Sequence, residues 1–88
     1  MKHGAASEQA EQGKKIAREG WNGKGMFVFY MPPIDLAAEQ VSERTRQFVP
    51  AGPVHVDGYF AMWTAQGTLQ PGWLASQADL LADDWIVL

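Results

Sequence analysis

Apolar residues come in short clusters along this chain, the longest being Met26–Met31, with polar or turn-forming residues between them. The stretch GAASEQAEQG, residues 4–13, predicts a short helix. Ala, Glu and Gln are good helix formers, and Gly13 suits the left-handed position just past a helix end. Its only apolar side chains are alanines, so light packing is expected. KKIAREGW then alternates in character: Ile16 and Arg18 share one face, Ala17 and Glu19 the other, which predicts a strand. Asn22-Gly23 predicts a two-residue hairpin turn, because both central residues of a type I′ turn need positive φ. MFVFYM is the return strand. It is apolar on both faces, which predicts that both are covered. Pro32-Pro33 ends it, since proline cannot donate to a sheet ladder.

The next stretch, DLAAEQVSERTRQF, spaces Leu36, Val41 and Phe48 too loosely to decide between helix and extended loop. VPAGPV breaks it. VHVDGYFAMWTAQGTLQPGW is strand-like, with Tyr59, Ala61 and Trp63 opposing Phe60, Met62 and Thr64, a second hairpin turn at AQGT and a break at Pro71-Gly72. SQADLLADD is the clearest helix: Ser76 caps it, and Asp79 three residues on completes a capping-box pattern. WIVL predicts a last strand that joins the sheet. The class that results is α+β: a small antiparallel sheet with two or three short helices, formed by residues 1–88 as a single domain.

Composition changes this picture in one respect. A chain of 88 residues buries a limited core, and without cysteine no disulfide or thiolate metal site supports it. Yet it carries 4 Trp, 4 Phe, 2 Tyr and 4 Met. Part of that apolar load is expected to lie between subunits, making the protein a homo-oligomer. No run reaches membrane-span length, and the N-terminal residues have no apolar signal core, so a cytoplasmic protein without a membrane partner is expected.

The net charge of -3 argues against duplex nucleic acid as a partner. The charge is uneven, however: residues 1–25 hold five Lys/Arg against three Glu, and residues 26–88 hold two Arg against seven acids. A cationic end on an acidic protein suits a small anion. No nucleophile elbow, metalloprotease helix or Walker loop is present, and GWNGKG has the wrong glycine spacing for a phosphate-loop fingerprint. His55 and Asp57 sit two apart, a spacing that can share one strand face; it is compatible with a metal or acid–base pair, but a surface pair beside a turn is the reading favoured over it. No metal site, cofactor or catalytic set is expected.

Binding chemistry is better supplied. Aromatic planes stack nucleobases, and backbone N–H groups at glycine turns hold phosphate oxygens. Trp21 beside Gly23, Lys24 and Gly25 offers both, and Trp73 ahead of Ser76 offers a second plane. Each has a plainer reading: Trp21 as core beside Phe27 and Phe29, Trp73 and Trp85 as clamps on the last helix, Ser76 and Asp79 as its cap.

Two blocks carry a resemblance: R-x-G-W-N-G-K-G-M at 18–26, and G-W-x-A-S-Q-x-D-x-L-A-x-D-W at 72–85. They resemble the second type of Thoeris anti-defence family, a small domain of phages and prophages. Residues 32–58 match poorly, and His3 stands where the family tends to have an aromatic. The resemblance implies a sponge and not an enzyme: a homotetramer that binds cyclic ADP-ribose isomers made by bacterial TIR proteins between its protomers and withholds them from their effector. It also extends to the cyclic oligonucleotides of CBASS defence. On that reading Trp21 stacks the adenine, with Phe27 beside it, and Asn22 and Gly23 make polar contacts. Arg18 or Lys24 balances the pyrophosphate, Asp79 or Asp83 takes ribose hydroxyls, and Trp73 and Ser76 complete the site. The alternatives are a phage structural or interaction protein with no small-molecule ligand, and a small nucleotide-processing enzyme.

Overall fold

A computed structural model describes all 88 residues, 1–88. Helix α1 (His3–Glu11) comes first, followed by β1 (Ile16–Arg18), β2 (Phe27–Met31) and β3 (Ile34–Leu36). A 3-10 turn (Ala38–Gln40) and α2 (Glu43–Arg46) lead to β4 (Val54–Val56), β5 (Tyr59–Trp63) and β6 (Leu69–Pro71). The chain closes with α3 (Gln77–Leu81) and β7 (Trp85–Val87). Five strands form the main sheet in the order β6-β5-β2-β1-β7, and β3-β4 form a separate two-stranded ribbon. All pairings are antiparallel. The α+β class expected from the sequence is the one observed.

Strand alternation gives the main sheet two unlike faces. Ile16, Val28, Met62 and Trp85 point to one side, where α1 covers them with Ala6 and Ala10. Both alanines are solvent-free. The helix therefore does not pack lightly, as an alanine-only face suggests; small side chains let its backbone come close to β2, β1 and β7. The helix end is as predicted, with Gly13 at φ 98°.

The other face carries Ile86, Ala17, Phe27, Phe29, Met31, Trp63 and Leu69, by the register of the five strands. Here the expectation of two covered faces fails within one chain. Phe27 and Phe29 are half-buried, and Met31, Trp63 and Leu69 are exposed. The Lys15 ammonium lies 4.6 Å from the centre of the Phe27 ring on this face, and Ala17 and Ala61 between the larger side chains are buried.

The β1–β2 connection also departs from the Asn22-Gly23 expectation. It runs over residues 19–26 and is not a two-residue turn. Only glycines have positive φ, and in this loop that is Gly25 at 77°, not Asn22 or Gly23. The tight type I′ turn is thus excluded, because it requires positive φ at both central positions. The AQGT turn is observed: Thr64 N donates to Thr68 O at 2.9 Å and Gly67 has φ 77°. The undecided middle stretch becomes β3, a 3-10 turn and α2 in succession, held by Arg46, whose guanidinium donates to the carbonyls of Ala38, Pro50 and Gly52. Val54–Trp63 is two strands, broken at Asp57-Gly58.

Candidate functional site

The 18–26 and 72–85 blocks, distant in sequence, converge at one place. β7 pairs with β1 so that Arg18 lies opposite Trp85. This brings the start of the 19–26 loop against the α3–β7 segment. Arg18 forks between two carboxylates: Nε donates to Asp84 Oδ1 at 2.8 Å, and Nη1 donates to Asp79 Oδ1 at 2.9 Å. The same Asp79 oxygen accepts the Trp21 indole N–H at 3.1 Å. Asp84 Oδ2 accepts from the Gly20 backbone N–H at 2.8 Å, and Glu19 N donates to the Asp84 carbonyl at 3.1 Å. Gly20 is required for that approach, since a Cβ there would come within 2.6 Å of Asp84 Oδ2.

Three indoles stand beside this charge cluster. Trp21 meets Trp85 edge-on at 5.3 Å between centroids, and Trp73 meets both Trp21 and Trp85 at 6.2 Å. Such T-shaped pairs place a positive ring edge on a negative ring face. Trp85 is fully buried and donates its N–H to the Asp79 carbonyl at 2.8 Å, while His3 packs edge-on against it. Trp21 and Trp73 are half-buried, so each keeps some ring surface at the protein exterior.

The electrostatics follow from the geometry. Burial works to raise the Asp79 carboxyl, but hydrogen bonds from Arg18, Trp21 and Ser76 outweigh it and hold the group below the usual carboxylate range. Asp84 is also held low, first by its hydrogen bond from Arg18, against some desolvation, and then by the Gly20 N–H. One guanidinium serving two carboxylates leaves the cluster with one net negative charge. Arg18 and Trp21 share the Asp79 Oδ1 oxygen, and Ser76 borders the same carboxylate.

The remaining candidates divide around this cluster. Ser76 Oγ accepts from Asp79 N at 3.1 Å, capping α3 as its sequence predicts. Gly23 lies in the same loop, packed against Met26 and Ala65. Asn22 and Lys24 are exposed, and no ion pair uses Lys24. Asp83 is exposed, and its carbonyl accepts from the α-amino group of Met1 at 3.0 Å. Phe27 points away, to the open face of the sheet, so Trp21 packs on Trp73 and Trp85 and not on Phe27 and Phe29. Sequence reasoning missed Asp84 as the partner of Arg18. The signal was its place in the second block, directly before Trp85.

His55 lies apart from this cluster, on the β3–β4 ribbon. Its Nδ1 is 2.7 Å from Asp35 Oδ1 and its Nε2 is 3.5 Å from Asp57 Oδ1. The Asp35 hydrogen bond raises its pKa. No group of three or more acidic, His or Cys side chains has the arrangement of a metal site. No helix is long and apolar enough to cross a membrane.

A family model described as Tad2-like, Thoeris anti-defense 2-like domain, matches residues 1–88. The chain is also similar to a curated protein of Bacillus phage SP01 named Thoeris anti-defense 2. The two are 34% identical over 88 residues, which is 100% of this chain and 94% of the relative.

Proposed function

The chain belongs to the Thoeris anti-defense 2-like family, which supports a phage anti-defence role, and from that premise we propose that it binds and sequesters a cyclic ADP-ribose-type signal without converting it. The observation that carries this reading is the convergence of Trp21, Arg18 and Asp79. It joins a partly exposed aromatic plane, a fixed cation and a carboxylate.

Each part of such a ligand has a partner of matching chemistry. The adenine stacks on Trp21, an interaction worth about 1–3 kcal/mol per base. A ribose hydroxyl donates to the Asp79 carboxylate. The pyrophosphate keeps clear of that carboxylate, because two anions repel. Arg18 is already neutralised by Asp79 and Asp84, so Lys24 and the backbone N–H groups of the 19–26 loop are better placed in chemistry to meet the phosphates. Asn22 and Gly23 lie in that loop.

A single protomer encloses no pocket. Sequestration needs one: holding a nanomolar signal takes about -12 kcal/mol, which calls for burying most of the ligand. The reading therefore requires that a neighbouring protomer close the site, in a homotetramer with its pockets at the interfaces. A cyclic oligonucleotide as a second ligand belongs to the same reading.

The test is to purify the protein from cells that express an active TIR signalling enzyme, heat it, and identify what is released by mass spectrometry. An intact cyclic ADP-ribose isomer is expected. A cleaved product would make the protein an enzyme, and no nucleotide at all would favour the interaction-protein reading.

A further inference from the structure

Residues 32–58 are an insertion in a hairpin. The last cross-strand pair of β2 and β5 is Met31–Tyr59, so the two strands already meet where the insertion leaves and returns. A short turn would close them. Instead the chain runs out through Pro32-Pro33, builds the β3–β4 ribbon with the 3-10 turn and α2, and comes back. The ribbon strands pack on each other and on no element of the main sheet beyond marginal contact. The molecule is accordingly long, 44 × 26 × 22 Å, with a radius of gyration of 15.5 Å. A compact domain of this length has about 12 Å.

The arm is amphipathic. Ile34 pairs with Val56 and Leu36 with Val54 on one side, while Asp35 and His55 occupy the other. Phe48, just past α2, is 81% exposed. The main sheet meanwhile leaves Trp63 39% and Leu69 55% exposed on its open face. Two apolar surfaces on one small chain thus lack cover.

The surface of the whole chain is larger than a compact monomer's by an amount that matters for assembly. The chain exposes 6147 Å², whereas a folded monomer of this mass exposes about 5,100 Å². The excess, about 1,000 Å², is close to one partner's share of a stable protein–protein interface, about 800 Å². Charge points to the occupant. The arm carries Asp35, Glu39, Glu43 and Asp57 against Arg44 and Arg46, and Glu39 and Glu43 pair with nothing within the chain. The open face carries Lys15 over Phe27. Asp35 and Asp57 lie against His55, so the acids of the arm left for a cation on an apolar face are Glu39 and Glu43.

We propose that residues 32–58 are an assembly arm. The apolar side of the β3–β4 ribbon and Phe48 cover the open sheet face of a second copy, and that copy's arm returns the contact. Such a self-complementary exchange is the ordinary form of a twofold interface. The inference deepens the proposed function by naming the element that brings protomers together, and it rests on that reading only in requiring a multimer.

The test uses two variants that fail for different reasons. In one, an Asn-Gly turn replaces residues 32–58, leaving the open face without an arm. In the other, Trp63→Glu leaves the arm without a usable face. Mass by light scattering is measured for each variant and for their equimolar mixture, with circular dichroism to establish folding. The wild type is expected to be a multimer, each variant alone a smaller species, and the mixture a larger one containing both chains. Should the armless chain not fold, Phe48→Glu in the full chain takes its place. A monomeric wild type, an arm variant that assembles like wild type, or two folded variants that do not complement each other would overturn the proposal. Ligand binding to the wild type is read separately. Assembly through the arm without binding overturns the ligand reading alone; binding with assembly that ignores the arm overturns the arm alone.

Discussion

Asp79 carries more of the site than any other residue. One of its carboxylate oxygens holds Arg18 and Trp21 together, its backbone N–H closes the α3 cap, and its carbonyl anchors Trp85. This gives the site a pH dependence with a definite sign. The carboxyls of Asp79 and Asp84 are both held below their ordinary values in the folded chain. Such groups stabilise the fold above the unfolded carboxylate pKa of about 3.9, and that contribution is lost as pH falls through the folded values. Urea unfolding followed by tryptophan fluorescence is therefore expected to show stability falling steeply below about pH 4. A double variant, Asp79→Asn with Asp84→Asn, is expected to be less stable at pH 7 and to show a flatter acid limb. An unchanged acid limb would mean that other carboxylates govern it. Trp21 makes the second prediction at this scale. Trp21→Ala is expected to weaken ligand binding at least about fivefold, the lower end of a lost base stack, while light scattering shows the assembly intact. A variant that dissociates instead makes Trp21 a packing residue. Sequence reasoning reached Trp21, Arg18 and Asp79 because block patterning and residue type both single them out. It did not reach Asp84, because nothing local shows that an aspartate beside a strand will face an arginine 66 positions earlier.

At the scale of elements, what was legible in the sequence followed local chemistry. The α1 stop at Gly13, the Ser76 cap and the turn at Gly67 each depend on a few neighbouring residues, and each is where its residues place it. The Asn22-Gly23 turn failed because tertiary contacts overrode a local preference. Gly20 N and Glu19 N bond to Asp84, which draws the start of the loop toward β7 and leaves no room for a two-residue closure. The difference is measurable by denaturant midpoints. Asn22→Ala is expected to change stability by less than about 0.5 kcal/mol, as for an ordinary surface position. Gly25→Ala, which forces a Cβ into left-handed backbone, is expected to cost about 1–2 kcal/mol. The reverse order would restore the tight turn. The middle stretch was illegible for a different reason. Its elements are three or four residues long and are held by Arg46 reaching three carbonyls, which leaves no periodicity to read.

For the whole molecule, the apolar load read from composition is only partly buried: Met31, Trp63 and Leu69 stay exposed on the sheet, and Ile34 and Phe48 on the arm. The expectation of a strand covered on both sides failed for the same cause: one chain supplies a cover for only one face. The core that remains is small: Ala6, Ala10, Ile16, Val28, Met62 and Trp85 in one cluster, with Ala17 and Ala61 also buried. A ligand held between protomers would add its binding free energy to a fold with little to spare. That makes thermal unfolding a sensitive readout. The most direct test is the melting temperature of the wild-type protein with cyclic ADP-ribose isomers, each at about 100 times a nanomolar Kd, with Trp21→Ala in parallel. Saturation at that level adds about 2.7 kcal/mol, which raises the melting temperature of a domain this size by about 10–20 °C. A rise of that order with at least one isomer, absent in Trp21→Ala, is the expected result; an unmoved wild-type transition with every isomer would contradict the account.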